Sequence, residues 1–305
     1  MITGLAHSGY TVSNLERAVA YYGETLGVEH TRMQVSDQPY LERVTGLPGA
    51  NMKIGFVQAE GDNSALELLE FVQPKGQPAG VSFGRVGTFS VCWSVDSLPA
   101  AFERLSGQGV NFLAEPHQVG DGPWGDAAGA FLLGPDGSLI ELVELVGFGG
   151  GQGRVTGMHH TTWTVSSLDA ALTFLSEGLE FTVIARHKGD SAYARQVGGL
   201  EDGHLQAVYL AIPSTDHVLK VVEFRNPAGL PIDPGVNNPG SGHFCLLTDD
   251  IWADQEALSA QGARFVGPPA EVTAGVNQGA YAIHFDGPDD FRFELFQGPP
   301  TRVAD

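Results

Sequence analysis

GMHHTTWTVSSLDAALTF, residues 157–174, reads as a short buried strand, a Ser-rich break and an amphipathic helix, with two adjacent imidazoles, His159 and His160, on the strand. A similar stretch, GLAHSGYTVSNLERAVAY at 4–21, lies 153 residues upstream. At that same offset His7 falls on His160, Leu26 on Leu179 and Cys92 on Cys245. YLERVTGLPG (40–49) falls on YARQVGGLED (193–202), and GPDGSLIEL (134–142) on GPDDFRFEL (287–295). Coincidences sustained at one offset through both halves identify a tandem duplication.

Each half divides again. An apolar strand, a Ser/Asp break and a helix recur as HSGYTVSNLERAVAYY, SVCWSVDSLPAAFERL, HTTWTVSSLDAALTFL and HFCLLTDDIWADQEAL. The Ser/Asp residues supply N-caps, and the apolar positions that follow have helical spacing. Alternating apolar runs broken by Gly, Pro, Asn and Asp come after each helix and predict three antiparallel strands. The expected organisation is four β-α-β-β-β modules at 1–75, 87–146, 154–228 and 240–300. Residues 1–146 and 154–305 form two pairs joined by a Gly-rich linker at 147–153. Pro/Gly-rich connectors follow the first and third modules.

The 305 residues suffice for two cores, and 42% apolar with 17% charged residues is a globular composition. A formal net charge of −20 disfavours nucleic acid and acidic membrane surfaces as partners. The opening MITGLAHSGYTV has no basic n-region or long apolar segment, so no signal peptide is expected. No run approaches the roughly 20 apolar residues of a spanning helix. Cys92 and Cys245 are too few for a disulfide framework. The expectation is a cytoplasmic protein acting on a small-molecule substrate, as a monomer or homodimer.

Four such modules, each able to place a ligand on its first and last strand, resemble the vicinal oxygen chelate superfamily, and GPDGSLIELVEL is the most specific motif. That superfamily includes glyoxalase I, methylmalonyl-CoA epimerase, bleomycin resistance proteins and extradiol dioxygenases. The resemblance implies an α+β fold in which pairs of modules form two cup-shaped half-barrel sheets with helices outside. It also implies a divalent metal ion: Zn, Mn, Ni, Co or Fe(II). Position by position, the ligand sites fall on His7 and Glu67, Ser90 and Glu141, His160 and Lys220, and His243 and Glu294. Ser90 and Lys220 have lost ligand chemistry.

Module pairing then decides the site. If sequence neighbours share a cup, His160, His243 and Glu294 form a two-His, one-Glu triad like that of Fe(II) extradiol dioxygenases, with His217 near the position of a catalytic histidine. That family's tyrosine is His284 here, and its other pocket histidine falls near Gly275. If the cups are exchanged, His7, Glu67, His243 and Glu294 form a complete metal set, and both lost positions fall in the other cup. The exchanged arrangement is the one expected, because it gathers both losses into one cup, with the triad as the alternative, and it implies a glyoxalase/epimerase-type enzyme. Its metal would grip vicinal oxygens and stabilise an enediolate, with Glu67 or Glu294 as catalytic base. No basic and Asn cluster suited to glutathione is evident. A third reading is a bleomycin-resistance-like binding protein without a catalytic metal.

Strand alternation predicts that Glu70 points away from Glu67, and His159 away from His160. Cys92 and Cys245 read as small core residues. Tyr40 and Tyr193 read as pocket or packing aromatics, and His30, His117, His187 and His204 as surface residues.

Overall fold

At the end of strand β1, Ile2–Thr11, Tyr10 enters the apolar core while His7 and Gly9 face the opposite side, beside His243 and Glu67. The same division recurs in every module of the computed structural model, which describes residues 1–119, 122–125, 127–145 and 150–299. The linker read at 147–153 therefore lies outside the described residues at 147–149.

The first module comprises β1, α1 (Leu15–Tyr21), β2 (Glu29–Ser36), α2 (Tyr40–Thr45), β3 (Asn51–Gln58) and β4 (Ala65–Gln73). The second has β5 (Phe89–Val95), α3 (Leu98–Gly107), β6 (His117–Gln118), β7 (Ala127–Leu133) and β8 (Leu139–Leu145). The third repeats the first as β9 (Val155–Thr164), α4 (Leu168–Thr173), β10 (Thr182–Asp190), α5 (Ala192–Gly198), β11 (His204–Ala211) and β12 (Val218–Phe224). The fourth runs β13 (Gly242–Thr248), α6 (Ile251–Ala260), β14 (Arg264–Phe265), β15 (Ala270–Glu271), β16 (Tyr281–Asp286) and β17 (Arg292–Gln297). Short helices α2 and α5, carrying Tyr40 and Tyr193 in their first turns, are additions to the expected β-α-β-β-β pattern.

Each module starts its helix by the same two devices. Asn14, Ser97, Ser167 and Asp250 are the N-caps, each accepting a hydrogen bond from a backbone N–H three residues on. A residue of the module's last strand then accepts from the first helical N–H. Glu70 Oε2 takes Leu15 at 2.8 Å, Glu144 Oε2 takes Leu98 at 2.6 Å, Glu223 Oε2 takes Leu168 at 2.6 Å and Gln297 Oε1 takes Ile251 at 2.9 Å. Glu70 thus faces the helices, opposite to Glu67.

The GPDG turn has a matching task. Asp136, with φ 57°, accepts from Ser13 N and Oγ, both at 2.7 Å, and so ties the second module to the first. Asp289 repeats this tie on Ser166, accepting its N–H at 2.8 Å and its hydroxyl at 2.5 Å.

Two sheets result, and each takes one module from each half of the chain. One has the order β14-β16-β17-β13-β1-β4-β3-β2, with β15 added beside β16; the other runs β10-β11-β12-β9-β5-β8-β7-β6. Modules 1 and 4 share one cup, modules 2 and 3 the other. The central seams are antiparallel, β1 on β13 and β5 on β9. The sheets meet back to back, with Phe89, Trp163, Phe244 and Phe291 fully buried and in ring contact between them. The two Pro/Gly-rich connectors pair there as well: Ala79 N–H donates to Pro239 O and Ile232 N–H to Val86 O. Among the described residues no helix is long and apolar enough to cross a membrane.

Candidate metal centre

Two adjacent rows cross the floor of the first cup. Gly9 pairs with His243 on one side and Glu67 on the other; Cys245 pairs with His7 and with Glu294. A small residue sits at the middle of each row, so the flanking side chains lean inward over it. A Cβ on Gly9 would stand 2.1 Å from the His243 ring, which occupies that space. Gly9 therefore belongs to the site, although neither charge nor ligand chemistry marked it in the sequence. Its signal was the departure from the repeat, Gly9 against Thr162.

His243 Nε2 lies 3.1 Å and His7 Nε2 3.2 Å from the same oxygen, Glu67 Oε2. His7 Nε2 is buried and makes no hydrogen bond, despite that distance. Donor atoms of His7, Glu67 and His243 all fall within 4.8 Å of one another, as do those of His7, Cys245 and Glu294. His284 Nε2 approaches Glu294 Oε2 at 3.8 Å from the next strand, β16. The centre borders a cavity of about 330 Å³ lined by Tyr40, Ile54, Phe56, Val272 and Phe296, with Arg32 over the Phe56 ring at 4.7 Å.

Burial works against both members of the His7–Glu67 pair being charged, and their mutual attraction outweighs it. The pKa of His7 is raised, and the two imidazoles hold Glu67 well below the ordinary carboxylate range. Glu294 is also lowered against the cost of burial, chiefly by His284, whose own pKa burial depresses. Burial pushes the Cys245 thiol up, so it stays protonated.

Two imidazoles and two carboxylates suit a divalent ion of the Zn, Mn, Ni, Co or Fe(II) type. The orphaned His7 nitrogen fits such an ion, as does the approach of His243 to Glu67 over the bare Gly9. The alternative triad is not brought together. His160 stands on β9 in the other sheet, away from His243 and Glu294 on β13 and β17.

The second cup differs at matching positions. Thr162, Ser90 and Lys220 replace Gly9, His243 and Glu67 in one row. His160, Cys92 and Glu141 persist in the other, with His160 Nε2 3.5 Å from Glu141 Oε2. Alternation fails at His159, because the ladder slips a residue between the Cys92–His160 and Trp93–Met158 pairs. The bulge swings His159 beside His160, Nδ1 to Nδ1 at 2.8 Å, with Trp124 packed on both rings. Cys92, His159 and His160 donors also lie within 4.8 Å of one another.

Burial lowers the pKa of His160, and burial with His160 takes His159 to about 3. Glu141 falls to about 2 despite its burial, Lys220 being the largest favourable influence. His217 is buried on Thr161 at 3.0 Å. His117 and His187, expected at the surface, line this cup together with Tyr193, on which His117 stacks at 4.5 Å.

Two models of the Glyoxalase/Bleomycin resistance protein/Dioxygenase superfamily match the chain, at residues 6–127 and 157–295. The chain belongs to that superfamily. It is 28% identical to a 2-epi-5-epi-valiolone epimerase of Actinomyces sp over 46% of this chain and 78% of that protein. It is also 28% identical to the lactoylglutathione lyase of Salmonella typhimurium, over 49% of this chain and 98% of the lyase. In fold it is similar to glyoxalase I from Zea mays, with a TM-score of 0.65 at 19% identity, covering 96% of this chain and 92% of that one.

Proposed function

We propose that the chain is a metal-dependent enzyme of the glyoxalase/epimerase type, acting in the first cup on a small carbonyl compound with vicinal oxygens. The observation that carries this reading is the meeting of His7 and His243 at one oxygen of Glu67, with Glu294 beside them at the cavity edge. His7, Glu67, His243 and Glu294 would hold the ion, which as a Lewis acid stabilises negative charge on the substrate oxygens.

The remaining work falls to the chain. Glu67 is engaged by two imidazoles at 3.1 and 3.2 Å, whereas the imidazole facing Glu294, His284, stands off at 3.8 Å. Glu294 is therefore the base that takes the proton from the carbon next to the carbonyl and returns it to the enediolate so formed. His284 positions that carboxylate. Phe56, Ile54, Val272 and Phe296 exclude water from the carbanion-like centre. The epimerase and lyase among the relatives agree with proton transfer as the reaction class.

The test is deuterium uptake from D2O next to the carbonyl of 2-hydroxyketones, dihydroxyacetone among them, followed by NMR with metal-loaded protein. Exchange is expected, and Glu294→Gln should slow it by about 10²–10⁴-fold when the two proteins are compared at equal bound metal. Protein that takes up no metal under replete conditions would be a binder instead. Oxygen uptake with catechol under ferrous iron would move the assignment to ring cleavage.

A further inference from the structure

The second cup encloses a cavity of about 250 Å³ for which the reaction in the first cup has no use. One wall is apolar, built by Phe83, Phe131 and Phe224, whose rings contact one another at 5.1 and 5.6 Å. Lys220, Thr162 and Ser90 form the polar end, one row of the sheet running β12-β9-β5. Lys220 stands where the first cup has Glu67, so a fixed cation replaces a carboxylate at the floor. That charge repels a second dication.

The Lys220 ammonium has three donors. The Tyr209 ring lies 5.6 Å from Nζ. Glu141 acts on Lys220 through space but is turned to His160. Thr162 is 9% exposed, and its hydroxyl is buried without a hydrogen-bond partner. An ammonium with donors to spare and an orphaned hydroxyl share one end of a cavity whose other end is aromatic. That arrangement matches a ligand with one oxyanion and an apolar body. A single cation with Glu141 close by favours a monoanion over a phosphate dianion.

We propose that the second cup is a metal-independent binding site for a small organic carboxylate with an aromatic or aliphatic body. The carboxylate accepts hydrogen bonds from Lys220 Nζ and from the Thr162 hydroxyl, and the body packs against Phe83, Phe131 and Phe224. This site is separate from the proposed activity and does not depend on it.

Calorimetry and saturation-transfer NMR on the full chain, stripped of metal, test the proposal with phenylacetate, neutral phenylacetamide and phenyl phosphate. Phenylacetate should bind at least about tenfold more tightly than the amide and more tightly than the phosphate. Lys220→Met should erase the preference for acid over amide, and Thr162→Val should weaken the acid alone. Equal affinity for acid and amide overturns the proposal, as does tighter binding of the phosphate. So does failure of every carboxylate from acetate to naphthylacetate to bind. If Lys220→Met does not fold, the acid–amide comparison in the unaltered chain decides. His7→Ala, which should lose the metal of the first cup, should still bind phenylacetate, so the two readings fail independently.

Discussion

The two cups are built from the same strands in the same register, yet they place opposite charges at corresponding floor positions. In the first, Glu67 and His243 meet over Gly9; in the second, Lys220 and Ser90 flank Thr162. The side chain between two functional groups changes along with them. A glycine leaves room for two large groups to converge, whereas Thr162 fills space beside the short Ser90. The other row, His–Cys–Glu, persists in both cups. The difference between the proposed metal centre and the cation-bearing pocket therefore resides in three positions of one row, and those positions can be exchanged.

The largest expected effect breaks the first cup. Glu67→Gln or His243→Ala should reduce bound metal from about one equivalent to nearly none, read by elemental analysis of protein dialysed against the ion. The same measurement should hardly change for Glu141→Gln, in the second cup.

Gly9→Ala comes next. Its Cβ would meet the His243 ring at 2.1 Å. Displacing that imidazole should cost metal affinity by about 10–100-fold while the fold survives, as titration with a chromophoric chelator would report. Ala at position 162 should leave metal binding unchanged.

The comparison is sharpened by converting one cup into the other. Ser90→His, Thr162→Gly and Lys220→Glu together should raise the stoichiometry from about one to about two equivalents. A value that stays near one would show that the exchanged row is insufficient by itself.

The smallest effect is in acid. Glu141 is depressed from 4.5 to about 2, so its contribution to stability is complete above pH 4.5 and lost as the pH falls through about 2. Lys220 is the leading cause that holds it down. Lys220→Met should therefore be less stable than the parent at pH 5, and the gap in urea midpoint should narrow between pH 4.5 and 2.5.

Much of this was legible in the sequence, because a duplication tests its own reading. The 153-residue offset exposed the modules and the four candidate ligand pairs, and the two lost positions stood out against their copies. Module pairing was legible only through Ser90 and Lys220, whose losses fall in one cup if the cups are exchanged, as they are. It is decided by which aromatic faces pack, Phe89 and Trp163 against Phe244 and Phe291, and their apolar pattern suits either arrangement. His159 was misplaced because alternation assumes an unbroken ladder, whereas the strand bulges there, as it does between Leu5 and His7 in the first cup. His117 and His187 escaped notice because nothing in their repeat partners marks the wall of a cup.

The crossed pairing of modules carries a consequence for how such a molecule arises. Strands from both halves of the polypeptide complete each cup, so a lone half has none. Two copies of an unduplicated ancestor, docked by the same crossing, would have made twin cavities bound to evolve in step. Fusion into one gene released them from that identity. One mutation could then alter a single cavity while its sibling kept the older trade.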